Sequence, residues 1–168
     1  RNLRHASSTK PFSERCRALE SVLESGIAPG LVMPATGGCD LATTMALTSH
    51  AASLGCPAAL LLPPFYYKPA DEDGLFDYFS AVIEGCASAF PGIGMLLYNF
   101  PFLTGVPISA TLVRRLADAF PGAVIGVKDS SLDWRTTLRY TTLLPELSIC
   151  ASTGVAATPF RLVNAWRD

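Results

Sequence analysis

The strongest constraint on what this sequence can fold into is an alternation of short, unbroken apolar runs with stretches whose apolar residues recur at helical spacing. The runs are Leu31–Ala35, Ala58–Leu62, Met95–Tyr98, Val124–Lys128 and Leu147–Ala151. None shows polar alternation, the pattern of parallel strands buried on both faces. They begin at intervals of roughly 25–35 residues, the size of one βα unit. Between them, Phe76, Phe79, Val82, Ile83, Cys86 and Phe90 share one helical face after an acidic start at Asp71–Asp73. Leu112, Val113, Leu116 and Phe120 repeat that spacing after Ser109, a good N-cap, and Pro121-Gly122 stops them. Ser13 is expected to open a helix carrying Cys16, Leu19, Val22 and Leu23 that ends at Gly26, while Asp40 and Ser131 open two more, the first ending at Gly55.

No linker, repeat or low-complexity tract interrupts the series, so residues 1–168 read as one α/β domain. Two architectures suit it: an open doubly wound sheet, or a (β/α)8 TIM barrel. Five strands cannot close eight, so as a barrel the chain is a segment of one. A nucleotide-binding doubly wound fold would need a Gly-rich fingerprint, and none is found.

Charged residues make up 16% of the chain and hydrophobic ones 49%, which excludes disorder. A net charge of -1 gives no general attraction to nucleic acid or anionic lipid. The longest apolar run, Pro57–Phe65, contains three prolines and is too short to span a bilayer. The five cysteines (Cys16, Cys39, Cys56, Cys86, Cys150) are scattered, with no CxxC pair. They are expected to be buried thiols in a reducing, cytoplasmic setting rather than disulfides or zinc ligands.

In either architecture, sites form where parallel strands end. Two runs end unusually, one in Tyr98 and one in Lys128. A lysine closing an apolar strand is costly unless paired, exposed at the strand mouth, or functional. Desolvation favours the neutral amine, the form a Schiff-base lysine needs. A plain pairing with Asp129 is the competing explanation, and for Tyr98 a half-buried tyrosine with a satisfied hydroxyl. His50, inside an expected helix, and His5 have no nucleophile setting around them. Thr36-Gly37-Gly38 lacks the lysine and spacing of a phosphate loop and reads as a strand-to-helix turn.

Taken together, Tyr98-Asn99-Phe100-Pro101 and Gly126-Val127-Lys128-Asp129-Ser130-Ser131 resemble the YNxP and GxKxxS signatures of the dihydrodipicolinate synthase / N-acetylneuraminate lyase family. Pro63-Pro64-Phe65-Tyr66-Tyr67-Lys68-Pro69 is similar to that family's aromatic loop, and the order and intervals of the three motifs agree. The resemblance runs from about Phe12 to about Trp166 and corresponds to the third through seventh strands of the barrel, so that the first two and the last are expected to be absent.

The resemblance implies that Lys128 forms the imine and that Tyr98 shuttles protons. It implies that Tyr66 completes the relay of a neighbouring subunit in a homo-oligomer (dimer or tetramer), and that Ser130 and Gly154 line the pocket. The substrate would be pyruvate or another small 2-oxo acid, with no metal or organic cofactor, because the protonated imine is itself the electron sink. Leu103 stands where the synthases carry an arginine for a second carboxylate, which a leucine cannot grip. Val155, Ala156 and Ala157 stand where sialic acid lyases carry acidic residues facing sugar hydroxyls. Both departures point to a smaller or partly deoxygenated 2-oxo acid. The family's carboxylate-gripping GTTGE-type turn, which belongs after the second strand, is not found in this sequence. The alternative function is therefore a catalytically incomplete segment that serves association alone or has no function.

Overall fold

The computed structural model of the chain describes residues 10–87 and 89–151. Its centre is a four-stranded parallel sheet made of β1 (Ala58–Leu61), β2 (Gly94–Asn99), β3 (Val124–Asp129) and β4 (Ser148–Ala151), in that spatial order. Among the described residues six α-helices accompany it: α1 (Phe12–Glu24), α2 (Leu41–Ser53), α3 (Glu72–Ala87), α4 (Pro101–Thr104), α5 (Ala110–Ala119) and α6 (Trp134–Leu143). Among the described strands the order does not reverse. A doubly wound sheet reverses at its switch point, so the order decides between the two expected architectures in favour of the singly wound barrel type.

Four of the five apolar runs are strands within a residue of their expected ends. The exception is Leu31–Ala35. Pro29–Leu31 forms a single 3-10 turn, Leu31 is 83% exposed, and only Ala35 pairs, by one parallel bridge to Leu60. Leu60 N–H donates to the Pro34 carbonyl, and Thr36 N–H donates back to the Leu60 carbonyl. Pro34 has no N–H to extend the ladder. Arg15 of α1 holds this segment in place by donating to the Ala35 carbonyl at 2.8 Å and the Gly37 carbonyl at 3.1 Å.

Helix starts follow their caps where the caps are acidic or clear of competition. Asp40 accepts from Thr43 N–H and Ser109 from Leu112 N–H, as expected. α1 begins one residue before Ser13, with Pro11 at its N-cap. α6 is capped by Asp133 instead of Ser131, because Leu132 takes a left-handed φ of 62° that ends the helix on that side. Cys16, Cys56 and Cys86 are buried as expected, but Cys39 is exposed and Cys150 is half-buried. His50 of α2 lies 3.0 Å from Glu20 of α1, a structural neighbour. No helix among the described residues is long and apolar enough to cross a membrane.

The core lies between the sheet and its helices. Ala59, Leu61, Met95, Leu97, Val124 and Val127 pack there against Phe79, Val82, Ile83, Leu112, Val113 and Leu116. The β2–β3 ladder is irregular. Met95 pairs with Val124, but the next residue, Leu96, pairs with Gly126, so Ile125 has no partner across the ladder. A Cβ at Gly126 would sit 2.1 Å from the Ser148 carbonyl oxygen of β4. Alanine there must push β3 and β4 apart. We expect Gly126→Ala to lower the stability of the chain by about 2 kcal/mol, read from the urea midpoint at constant m-value. An unchanged midpoint would show that the two strands can separate freely.

Candidate active site

Side chains alternate along a strand, so the residues between those of the core point to the sheet face turned away from the helices. On β2 this places Tyr98 there, on β3 Lys128, and on β4 Cys150. Tyr98 pairs with Lys128 and Lys128 with Cys150 across the two ladders. A phenol, an amine and a thiol therefore stand in one row at the carboxyl ends of three adjacent strands.

Within the row, the Lys128 amine lies over the Tyr98 ring, 4.2 Å from its centroid. Phe100, two residues further on and on the same face, stacks on Tyr98 at 5.6 Å with an interplanar angle of 22°. The Tyr98 ring thus contacts both an aromatic ring and the Lys128 amine. The ion pairs among the described residues involve Lys10, His50, Arg114 and Arg115, and none involves Lys128. The competing explanation of Lys128 as the partner of Asp129 does not hold. Asp129 is on the helix face, where it binds Asn99, Ser131 and Thr137.

Burial pushes the Cys150 thiol above its ordinary value, and the neighbouring Lys128 charge pulls it part of the way back. Cys150 went unnoticed in the sequence because only strand pairing reveals its place beside Lys128. Phe100 and Asn99 could be read from the YNxP motif, but not the ring stack or the buried bonds that they make. On the helix side, burial and then the nearby Asp129 raise the phenol of Tyr140, which keeps its proton and donates it to the Ile108 carbonyl.

The remaining expected residues are more dispersed. Ser130 is buried immediately after Lys128, and its N–H donates to the Asn99 carbonyl at 2.7 Å. Tyr66 is 71% exposed and meets Tyr67 edge-on at 5.0 Å, with no ring contact to Tyr98. Leu103 lies on α4, 60% exposed. Gly154, with Val155, Ala156 and Ala157, lies outside the described residues. A groove of about 600 Å³ opens on the helix side, lined by Glu72, Asn99, Ser109, Ser131 and Arg139, but neither Tyr98 nor Lys128 lines it. Thr36-Gly37-Gly38 is the turn into α2, and a Cβ at Gly37 would strike the backbone of Leu62, so its glycine serves packing.

The chain as a whole is similar to known proteins. Residues 12–154 match the model of the dihydrodipicolinate synthetase family. A 4-hydroxy-tetrahydrodipicolinate synthase of Thermus thermophilus is 38% identical over 125 residues, which make up 74% of this chain and 40% of that protein. The crystal structure of dihydrodipicolinate synthase from Agrobacterium tumefaciens superposes with a TM-score of 0.72 at 37% identity, covering 83% of this chain and 48% of that one. A dihydrodipicolinate synthase from Acinetobacter baumannii, solved with pyruvate, superposes with a TM-score of 0.71 at 28% identity, over 86% and 47%. The chain spans less than half the length of each of these three proteins.

Proposed function

The chain belongs to the dihydrodipicolinate synthetase family and has the fold of a (β/α)8 barrel segment, and on that premise we propose that Lys128 is the imine-forming nucleophile of a lyase or aldolase acting on pyruvate or a small 2-oxo acid. One observation carries this reading: the Lys128 amine, outside every ion pair among the described residues, rests on the ring of Tyr98 at the mouth of the sheet. The relative solved with pyruvate supports the choice of a 2-oxo acid.

The chemistry follows from those two groups. Once the Lys128 ammonium has given a proton to solvent, its amine attacks the ketone carbon, and the carbonyl oxygen takes a proton from the Tyr98 hydroxyl to give a carbinolamine. The new ammonium returns a proton to the Tyr98 oxygen. Tyr98 then donates it to the departing hydroxyl, water leaves, and a protonated imine remains. That imine accepts the electron pair of a neighbouring C–C or C–H bond, which is the step shared by cleavage, condensation and dehydration. Leu103 supplies no partner for a second carboxylate and favours a substrate that lacks one. Tyr66, exposed in its own chain, suits a role at the site of a neighbouring copy in a homo-oligomer.

The test is reduction with borohydride in the presence of pyruvate, followed by peptide mass spectrometry. The expected result is one reduced pyruvyl adduct, located on Lys128. A folded sample without an adduct would leave the rival reading, a segment that serves association only.

A further inference from the structure

On the rung next to Tyr98 and Lys128, the β2–β3 ladder pairs Asn99 with Asp129. Both are 1% exposed and face the helices, away from the row described above. Asn99 Nδ2 donates to Asp129 Oδ1 at 2.9 Å, and Asn99 Oδ1 accepts from Ile108 N–H at 3.0 Å. Asp129 Oδ1 also accepts from Ser131 N–H at 3.0 Å, while Oδ2 accepts from Thr137 Oγ1 of α6 at 2.5 Å and from Ser131 Oγ at 3.1 Å. The Asn99 carbonyl accepts from Ser130 N–H at 2.7 Å. One network thus joins the ends of both strands, the segment before α5, and α6.

Such a buried polar network is costly unless complete, and when complete it fixes a single arrangement. Its place in the ladder gives it something to fix. Backbone pairing is interrupted upstream at Ile125 and then runs regularly over four rungs, from Leu96–Gly126 to Asn99–Asp129, and the network closes the last of them. Tyr98 and Lys128 lie on the rung next to that closed end, so side-chain bonds at Asn99 and Asp129 act directly on how the ring and the amine meet. We infer that Asn99 and Asp129 are a positioning pair that holds the Tyr98 ring against the Lys128 amine, so that imine chemistry depends on two residues that face away from the substrate. The catalytic half of this inference rests on the function proposed above. The geometric half does not.

The experiment compares the chain with Asp129→Asn and Asp129→Ala. Asparagine keeps an oxygen for Asn99 Nδ2 and an amide that the Thr137 and Ser131 hydroxyls can accept from, whereas alanine removes every bond. The first readout needs no activity: the ring current of Tyr98 shifts the Lys128 ε-methylene upfield in the NMR spectrum of lysine-labelled protein. The shift should persist in Asp129→Asn and collapse toward that of a free lysine in Asp129→Ala. The second readout is exchange of the pyruvate methyl protons in D2O, which needs the imine and then the enamine. At saturating pyruvate the rate should fall about a hundredfold in Asp129→Ala, with the KM for pyruvate little changed, and stay within about threefold of the original in Asp129→Asn.

An upfield shift retained in Asp129→Ala overturns the inference. So does an Asp129→Asn as slow as Asp129→Ala, because the carboxyl would then act chemically. If Asp129→Ala does not fold, Thr137→Val decides on the same two readouts, since it removes one anchor of the carboxyl at a half-buried helix position. A reduced shift supports the pair, and an unchanged one overturns it. If the unmutated chain neither traps nor exchanges pyruvate, the function proposed above fails, and the ring-current comparison still decides the clamp.

Discussion

Arginine at position 128 is expected to leave the chain folded and unable to form any borohydride-reducible adduct with pyruvate. A guanidinium stays protonated below a pH of about 12 and has no free lone pair to attack a ketone. It does stack well on aromatic faces, so the contact that Lys128 makes with the Tyr98 ring at 4.2 Å has a close substitute. The substitution therefore separates the two possible uses of the lysine. If Lys128 were only a cation resting on a ring, Lys128→Arg would lose little. If it is the nucleophile, the adduct disappears, turnover falls to background, and the change in stability stays within about 1 kcal/mol. Intact-protein mass after reduction, beside a urea denaturation curve, reads both quantities. An adduct of undiminished yield in Lys128→Arg would move the chemistry to another amine.

The second large effect is expected from Tyr98→Phe. Phenylalanine keeps the ring that Lys128 rests on and the stack with Phe100, and it removes only the hydroxyl. Carbinolamine formation and loss of water each need a proton delivered to the substrate oxygen, and a positioned acid typically contributes a factor of about 10²–10⁴. Imine formation in Tyr98→Phe should therefore slow by about that factor. The adduct should still accumulate, on Lys128, when time is allowed. Rapid-quench trapping at several pyruvate concentrations distinguishes a slower step from weaker binding. Equal rates in the two proteins would assign the relay to water or to another group, and Tyr98 would remain only as the platform for the amine.

The strand ends were legible in the sequence because parallel strands buried on both faces need unbroken apolar runs, and β1 to β4 are such runs. Leu31–Ala35 looks the same by composition, yet forms a single bridge. Hydrophobicity does not record where the hydrogen bonds go, and the proline within the run removes a donor. The start of α6 was misplaced for a related reason. Ser131 and Asp133 are both good caps, and the hydroxyl of Ser131 is engaged by Asp129. Lys128 and Tyr98 stood out as polar ends of apolar runs, and their motifs tied them to one family. The row they form with Cys150, and the bonds between Asn99 and Asp129, come from pairing between strands far apart in the chain. No local pattern encodes that pairing.

The unpartnered Ile125 has a consequence for the lysine itself. Val124 and Val127 both face the helical core although three positions separate them. An uninterrupted strand cannot do this, since residues an odd number apart point to opposite sides. With Val124 seated in the core, regular alternation would carry Gly126 and Lys128 toward the helices as well. The extra residue inverts the phase of β3, so the valines anchor the strand while the amine emerges on the far side. The orientation of the nucleophile is thus written in the residue count and the bulge between Val124 and Lys128 together, rather than in residue identity. Removing Ile125 would take away the extra residue and the phase change together, so that Val124 and Val127 would still face the core and the amine would still emerge on the far side.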